Sequence, residues 1–383
     1  MHPLYQRLSA ELLVRREQGL ARTLQPVTRQ QGALVHLGGQ SLIDFASNDV
    51  LGLARDAGAA HYQAELCMSY GCGAGASRLV TGTTAELLDA EQRLADFFGY
   101  ESCLILNSGF VANLTVLGSL FCAADTVAVD TRIHASTMAG ILASGARFHS
   151  FRHNSLRHLQ TRIASTSVQA VVTESLFSMD GDSPDFAALA ALKARSGFLT
   201  LVDEAHAFGV LGAQGKGLAR GVADMAIGTL GKAFGLFGAF FLGPARVRDY
   251  LINCAPAFIY TTALPPWFGP MVCYLLDRVA QAEREREHVR HMSARLRTAL
   301  TTAGLAVRGS AHILVVRVGK EERCQQIVQA LRERGFLVFA ARYPTVPLGH
   351  AVVRICVHSL HCSQQIDNLA QALISTLCKE DSQ

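Results

Sequence analysis

The chain contains five lysines, at 193, 216, 232, 320 and 379, and their surroundings set one apart. Lys193, Lys216, Lys320 and Lys379 lie among charges, turns or tail residues, as solvated lysines do. Lys232 lies in IGTLGKAFGLFGAFF, an apolar, glycine-rich passage in which an unpaired ammonium would be costly to bury. Desolvation lowers a lysine's pKa, and the neutral amine is the form that attacks an aldehyde to give an imine. The alternative is a glycine-rich turn from which the lysine stem reaches back to water.

Asp203 and His206 suggest what such an aldehyde would be attached to. In FLTLVDEAHAFG an apolar run ends on Asp203, which places its carboxylate at the carboxyl end of a strand, where open α/β sheets keep their ligands. His206, three residues on, can turn back to the same place. A carboxylate facing a pyridinium nitrogen keeps it protonated, and the ring can then accept electrons from a carbanion. Asp203 or Glu204 could equally serve as a helix N-cap. In CLILNSGFVANLTVLGSL a strand, a turn and a helix follow one another, so backbone amides near Ser108, Gly109 and Phe110 would face an anion such as a phosphate. Gly71–Ala76 satisfies the dinucleotide fingerprint G-x-G-x-x-[GA], but it follows AAHYQAELCMSY, which reads as a helix, whereas the fingerprint needs a strand in front.

Short apolar runs must position these residues: CLIL at 103, TVAVD at 126, QAVVTES at 169, FLTLVDEAH at 198, MAIGTLGK at 225 and GAFFLG at 238. Separated by helical patterns, they predict a mostly parallel sheet with helices on both faces, an α/β fold. The texture changes near residue 280 to the charged helical pattern AEREREHVRHMSARLRTALTTAG. A smaller α+β unit is expected beyond it, over 281–383, with strands at HILVVRV and VVRICVH and a helix at EERCQQIVQALRERG. Residues 41–280 form the expected large domain, and 1–40 an amphipathic helix and short hairpin packed on that domain or on a partner subunit.

Half of the 383 residues are apolar and 17% are charged, enough to bury a large core. Lys plus Arg exceed Asp plus Glu by only 35 to 31, which is no basic footprint for nucleic acid, so small-molecule substrates are expected. The N-terminal segment has no apolar signal region and no later stretch approaches a membrane span, so a cytoplasmic protein is expected. Ten cysteines, at 67, 72, 103, 122, 254, 273, 324, 356, 362 and 378, are spread singly with no C-x-x-C pair, and no metal site is expected.

These residues resemble the α-oxoamine synthases, a family of fold-type I pyridoxal-phosphate enzymes. The resemblance runs nearly end to end, through SNDVLGL at 47, YGCGAGASRLVTGT at 70, NSGFVAN at 107, IHAS at 133, TESLFSMDGD at 173, VDEAHAFGVLG at 202, GTLGKAFG at 228, IYTTALPP at 259 and YPTVPLG at 343. It implies that Lys232 carries pyridoxal 5'-phosphate as a Schiff base and that Asp203 pairs with the pyridine nitrogen. It places His206 on the phenolic oxygen with Ser178 close by, His134 stacked on the ring, and Glu174 among the cofactor-binding residues. Ser108, Gly109, Phe110 and Thr229 would hold the phosphate, with Thr261 or Thr262 reaching it from the neighbouring subunit of a homodimer. Arg22, Asn48, Thr345 and Arg354 would meet the substrates, Arg354 gripping the amino-acid carboxylate with its fork.

The reaction implied is the decarboxylative condensation of L-alanine with a pimeloyl thioester, on coenzyme A or a carrier protein, as in biotin biosynthesis. The PTVP passage and the short chain favour that branch over glycine C-acetyltransferase, 5-aminolevulinate synthase, serine palmitoyltransferase and quorum-signal synthases, and an aminotransferase would use no thioester at all. Val50 stands where the family usually has Tyr, Ala76 where it has Gly, Val352 where an additional Arg is common and His358 where Ser or Thr is frequent. These four departures bear on the acyl pocket.

Overall fold

The computed structural model describes residues 2–29 and 31–378, so Lys379 lies outside the described residues. The chain divides into two compact units, one made of Asp49–Ser178 and Asp182–Glu287, the other falling within Met1–Asn48, Met179–Gly181 and His288–Gln383.

The larger unit is built on seven strands: β1 Ser102–Leu106, β2 Thr126–Asp130, β3 Arg147–Phe151, β4 Ala170–Glu174, β5 Leu199–Asp203, β6 Met225–Thr229 and β7 Ala239–Gly243. Their order across the sheet is β1-β7-β6-β5-β4-β2-β3. Strands β6, β5, β4, β2 and β3 pair in parallel, and β7 runs antiparallel to both of its neighbours. All residues of β1, β2, β4, β6 and β7 are buried, as expected of a sheet covered on both faces. The edge strand β3, RFHSF, is instead largely open, and its polar residues discourage pairing with another chain.

Helices α1 Gly109–Leu120 and α2 Ala135–Ser144 lie against this sheet, with Val116, Leu117 and Ile141 in one core with Leu104, Val127, Val129 and Phe241. Burying each such side chain contributes about 1.5–3 kcal/mol. The two helices approach closely at Gly140, where a Cβ would stand 2.7 Å from the Asn113 carbonyl oxygen. That approach fixes where the first turns of both helices sit.

In the smaller unit an antiparallel sheet runs in the order Val307–Arg308, Ile313–Gly319, Ala351–Cys356, Phe339–Ala341. Helices Glu321–Glu333 and Ser363–Cys378 supply Cys324, Ile327, Leu331, Ile366, Leu369 and Leu373 to a core shared with Leu314, Val316, Val353 and Ile355. A second sheet joins Val27–Arg29, Leu34–Leu37 and Gln40–Asp44 to the short strand Phe336–Leu337, so the N-terminal hairpin belongs to this unit. The N-terminal helix forms at Pro3–Glu17, but it buries no residue. Leu4, Tyr5, Leu8, Leu12, Leu13 and Val14 are all exposed within this chain and reach round the helix instead of forming one apolar face.

Candidate active site

Five loops leave the carboxyl ends of β1, β2, β4, β5 and β6 and converge on one cavity of about 200 Å³. Lys232 follows β6 and its Nζ lies 2.8 Å from Nε2 of His206, which follows β5. The lysine is half-buried, so its amine is held by a histidine and does not reach out through a turn to bulk water.

Asp203 ends β5 and is only 7% exposed. Its Oδ2 accepts from Nδ2 of Asn113 at 2.9 Å and its Oδ1 accepts from the Ala205 N–H at 2.9 Å. No helix starts behind it among the described residues, so the carboxylate is not an N-cap; one oxygen closes a local turn while the group lines the cavity. Asn113 is itself fixed, its Nδ2 also meeting Ser136 Oγ at 3.1 Å and its Oδ1 accepting from Thr137 Oγ1 at 3.3 Å.

Glu174 ends β4, and its Oε1 accepts the His134 N–H at 2.6 Å. Burial, then the charge of Asp203, pushes its pKa well above the ordinary carboxyl value, with Lys232 working the other way. The neutral form of Glu174 is thus favoured. His134 caps α2, and its Nδ1 lies 2.7 Å from Ser136 Oγ. Its pKa is lowered, first by burial and also by the Lys232 charge, against the pull of Asp203, so the imidazole is held neutral.

Ser108 caps α1, its Oγ accepting the Val111 N–H at 3.2 Å. Gly109 and Phe110 line the cavity at the start of the helix, where backbone N–H groups have no intrahelical partner and favour an anion. Thr229 stands beside them: a Cβ on Gly109 would be 3.9 Å from Thr229 Oγ1. That hydroxyl accepts from Gly231 N–H and donates to the Gly238 carbonyl, both at 3.1 Å. Ser178 lines the cavity as well.

Other expected residues are not among those that line this cavity. Thr261 and Thr262 are not among the cavity-lining residues; Thr262 pairs with Ser77 in a short bridge, and its carbonyl accepts from Asn107 Nδ2 at 3.1 Å. Arg22, Asn48, Thr345 and Arg354 belong to the smaller unit and form two pairs there. Arg22 Nη2 donates to Thr345 Oγ1 at 3.4 Å, and Arg354 Nη2 donates to Asn48 Oδ1 at 2.9 Å. Of the four departures, Val50, Val352 and His358 are buried, and His358 Nε2 lies 2.8 Å from the Asp44 carbonyl oxygen. The glycine-rich segment Gly71–Ala76 follows helix Ala57–Tyr70 and not a strand. No group of three or more His, Cys, Asp or Glu among the described residues is placed to hold a metal ion.

Several lining residues were not expected from the sequence, Asn113, Ser136 and Ala205 above all. Asn113 had a signal: it closes NSGFVAN four residues after Gly109, one turn along the same helix face. A cavity offering an amine, an anchored carboxylate and a helix N-terminus suits a ligand that carries an aldehyde, a basic ring nitrogen and a phosphate.

A family model described as aminotransferase class I and II matches residues 40–373. The chain belongs to that family. Within this aminotransferase family it is 41% identical over 368 residues to 8-amino-7-oxononanoate synthase of Gluconacetobacter diazotrophicus, covering 92% of each chain. The solved 8-amino-7-oxononanoate synthase of Francisella tularensis has a TM-score of 0.79 at 28% identity, over 89% of this chain and 99% of that one. A solved serine palmitoyltransferase carrying PLP as an internal aldimine has a TM-score of 0.90 at 25% identity, over 97% of both chains. The fold is therefore the fold-type I arrangement expected from the sequence.

Proposed function

We propose that this protein is a pyridoxal-phosphate-dependent acyltransferase that condenses L-alanine with a pimeloyl thioester, releasing carbon dioxide and the free thiol, to give 8-amino-7-oxononanoate. The observation that carries the reading is the convergence of Lys232, His206 and Asp203 with the N-terminus of α1 on one cavity, in a chain 41% identical to a protein of that name. When bound, the cofactor supplies an electron-accepting ring that stabilises negative charge on the amino acid attached to it.

The side chains divide the remaining work. Lys232 is placed to hold the aldehyde carbon, and once the substrate's amine has taken its place there the released lysine amine, 2.8 Å from His206, would move the proton at the substrate Cα. Asp203, anchored by Asn113 and the Ala205 N–H, keeps the ring nitrogen protonated. His134, held neutral, would cover the ring face, while His206 and Ser178, which line the same cavity, would serve its oxygen. The amides of Gly109 and Phe110, with Ser108 and Thr229, take the phosphate. Arg354, buried and braced by Asn48, offers its fork to the amino-acid carboxylate, and Arg22 with Thr345 attends the second substrate.

The setting we propose is a cytoplasmic homodimer. Thr261 and Thr262 stand outside their own chain's cavity, which suits hydroxyls that serve the neighbouring copy. No helix among the described residues is long and apolar enough to cross a membrane. Coenzyme A and an acyl carrier protein are both suitable bearers of the acyl group. A panel of alanine, glycine and serine against acetyl, succinyl, palmitoyl and pimeloyl thioesters tests the reading: turnover with alanine and the pimeloyl donor is expected, and activity with glycine alone would overturn it.

A further inference from the structure

We infer that His153, outside the cavity and assigned no part in the chemistry above, is a positioning residue: as an imidazolium between Asp130 and Asp182 it ties the loop that ends in His134 to the chain that follows Ser178. The inference rests on the functional reading only in the sense that these two loops line the proposed cofactor cavity.

The geometry leaves the imidazole one role. Asp130 ends β2 with its side chain fully buried, and its Oδ1 accepts from the Arg132 N–H at 2.8 Å and meets His153 Nδ1 at 2.9 Å. Its Oδ2 accepts the Asn154 N–H at 2.8 Å. On the other side of the ring, Nε2 lies 3.0 Å from both carboxylate oxygens of Asp182. A neutral imidazole carries one N–H, so only the cation donates to a carboxylate at each nitrogen. The ring also stands edge-on to buried Phe177, 4.4 Å between centroids at 88°, and the Phe177 N–H donates to the Asp182 carbonyl at 2.9 Å. One side chain thus fixes the residue four places before His134 and the residue just before Ser178.

Charge supports the same role. Burial alone would lower the His153 pKa, yet the two carboxylates raise it to about 9, and Asp182 is held below its ordinary value in return. Asp130 and Asp182 are the charged groups that face the ring; Asn154, 3.4 Å from Nε2, is neutral. After burial and Asp203, Asp130 is a further charge that pushes up the pKa of Glu174 at the cavity wall, so the charge at this clamp is felt at the site. Because the folded pKa is raised, the clamp is fully formed below the ordinary histidine value near 6.5 and is lost as the pH rises through about 9.

The test uses the holoenzyme and the variants His153→Gln, His153→Arg and Asp182→Asn. A carboxamide at 153 donates to one acid at most, whereas a guanidinium donates to both at any working pH. His153→Gln should keep its circular dichroism while weakening pyridoxal phosphate binding roughly tenfold, the effect of one lost charge-assisted contact, and lowering kcat without changing the thioester KM. His153→Arg should restore both and abolish the alkaline fall in cofactor affinity. In wild type, nitrogen NMR of labelled histidine should show His153, identified by its absence in His153→Arg as well as in His153→Gln, titrating near pH 9, and Asp182→Asn should move that midpoint toward 6.5. Asp182 is 43% exposed in its side chain, so this variant carries the test if His153→Gln does not fold. A wild-type midpoint near 6.5, or a His153→Gln protein with unchanged cofactor affinity and only a lower Tm, would overturn the inference. Failure of wild type to bind pyridoxal phosphate would instead overturn the functional reading, with the NMR midpoint still deciding whether the clamp exists.

Discussion

Of the two consecutive acids at the end of β5, Asp203 turns its carboxylate into the cavity, where Asn113 Nδ2 and the Ala205 N–H hold it. Glu204 sits in a fully buried niche, where its oxygens accept from Ser175 Oγ at 2.6 Å and from the backbone amides of Leu218 and Ala219. Alternation along the strand separates them. Burial pushes the Glu204 pKa up to about 7, and the niche is so tight that a Cβ on Gly217, at φ +84°, would lie 2.7 Å from the carboxylate. Adjacent residues of similar chemistry are thus placed differently: one carboxylate lines the cavity, and the other closes the loop behind it.

Substitutions on the cavity side should therefore remove chemistry and spare the fold, with the reverse on the loop side. The largest effect is expected from Asp203→Asn, which keeps the shape but removes the charge. Steady-state kinetics should show kcat lower by ~10²–10⁴-fold, with Tm little changed. A smaller loss, roughly tenfold in kcat, is expected from Asn113→Ala, which strips Asp203 of its side-chain donor. If Asn113→Ala lost cofactor-dependent activity as completely as Asp203→Asn, the carboxylate would not be the active partner of that pair.

The smallest effect on turnover is expected from Glu204→Gln, and its signature is a pH dependence of stability. The folded state holds this proton more tightly than the unfolded chain, so the associated stability is fully present below the ordinary value of 4.5 and is lost as the pH rises through about 7. The change is on the order of 3 kcal/mol. A glutamine can accept from the Leu218 and Ala219 amides and donate to Ser175, as the protonated acid would. Thermal unfolding of Glu204→Gln should accordingly show a smaller slope between pH 4.5 and 7 than wild type, with Glu174 supplying the part that remains and kcat nearly unchanged. A slope of the same size in both proteins would assign the titration to another group.

The sequence spoke most clearly where local pattern and burial coincide. The runs CLIL, TVAVD, QAVVTES, FLTLVDEAH, MAIGTLGK and GAFFLG all contain sheet strands, because a strand covered on both faces must be continuously apolar. Lys232 stood out because an ammonium in that company needs a partner, and His206 is that partner. Less could be read where a role depends on what arrives from elsewhere in the fold. Glu204 looked interchangeable with Asp203 until the loop at 218 and 219 folded over it. Likewise Asn113 acquires its use only when α1 brings it against β5, and His153 only when β2 and the chain after β4 bring a carboxylate to each ring nitrogen. The N-terminal helix formed at Pro3–Glu17 as its propensity indicates, while its apolar side chains stay exposed within the single chain.

The most direct test is reduction of the purified holoenzyme with borohydride, followed by proteolysis and mass mapping of the pyridoxyl label. Label confined to the peptide containing Lys232 is the expected result. Label on Lys193, Lys216, Lys320 or Lys379 instead, or on no lysine at all, would contradict the assignment of Lys232 as the cofactor-bearing amine.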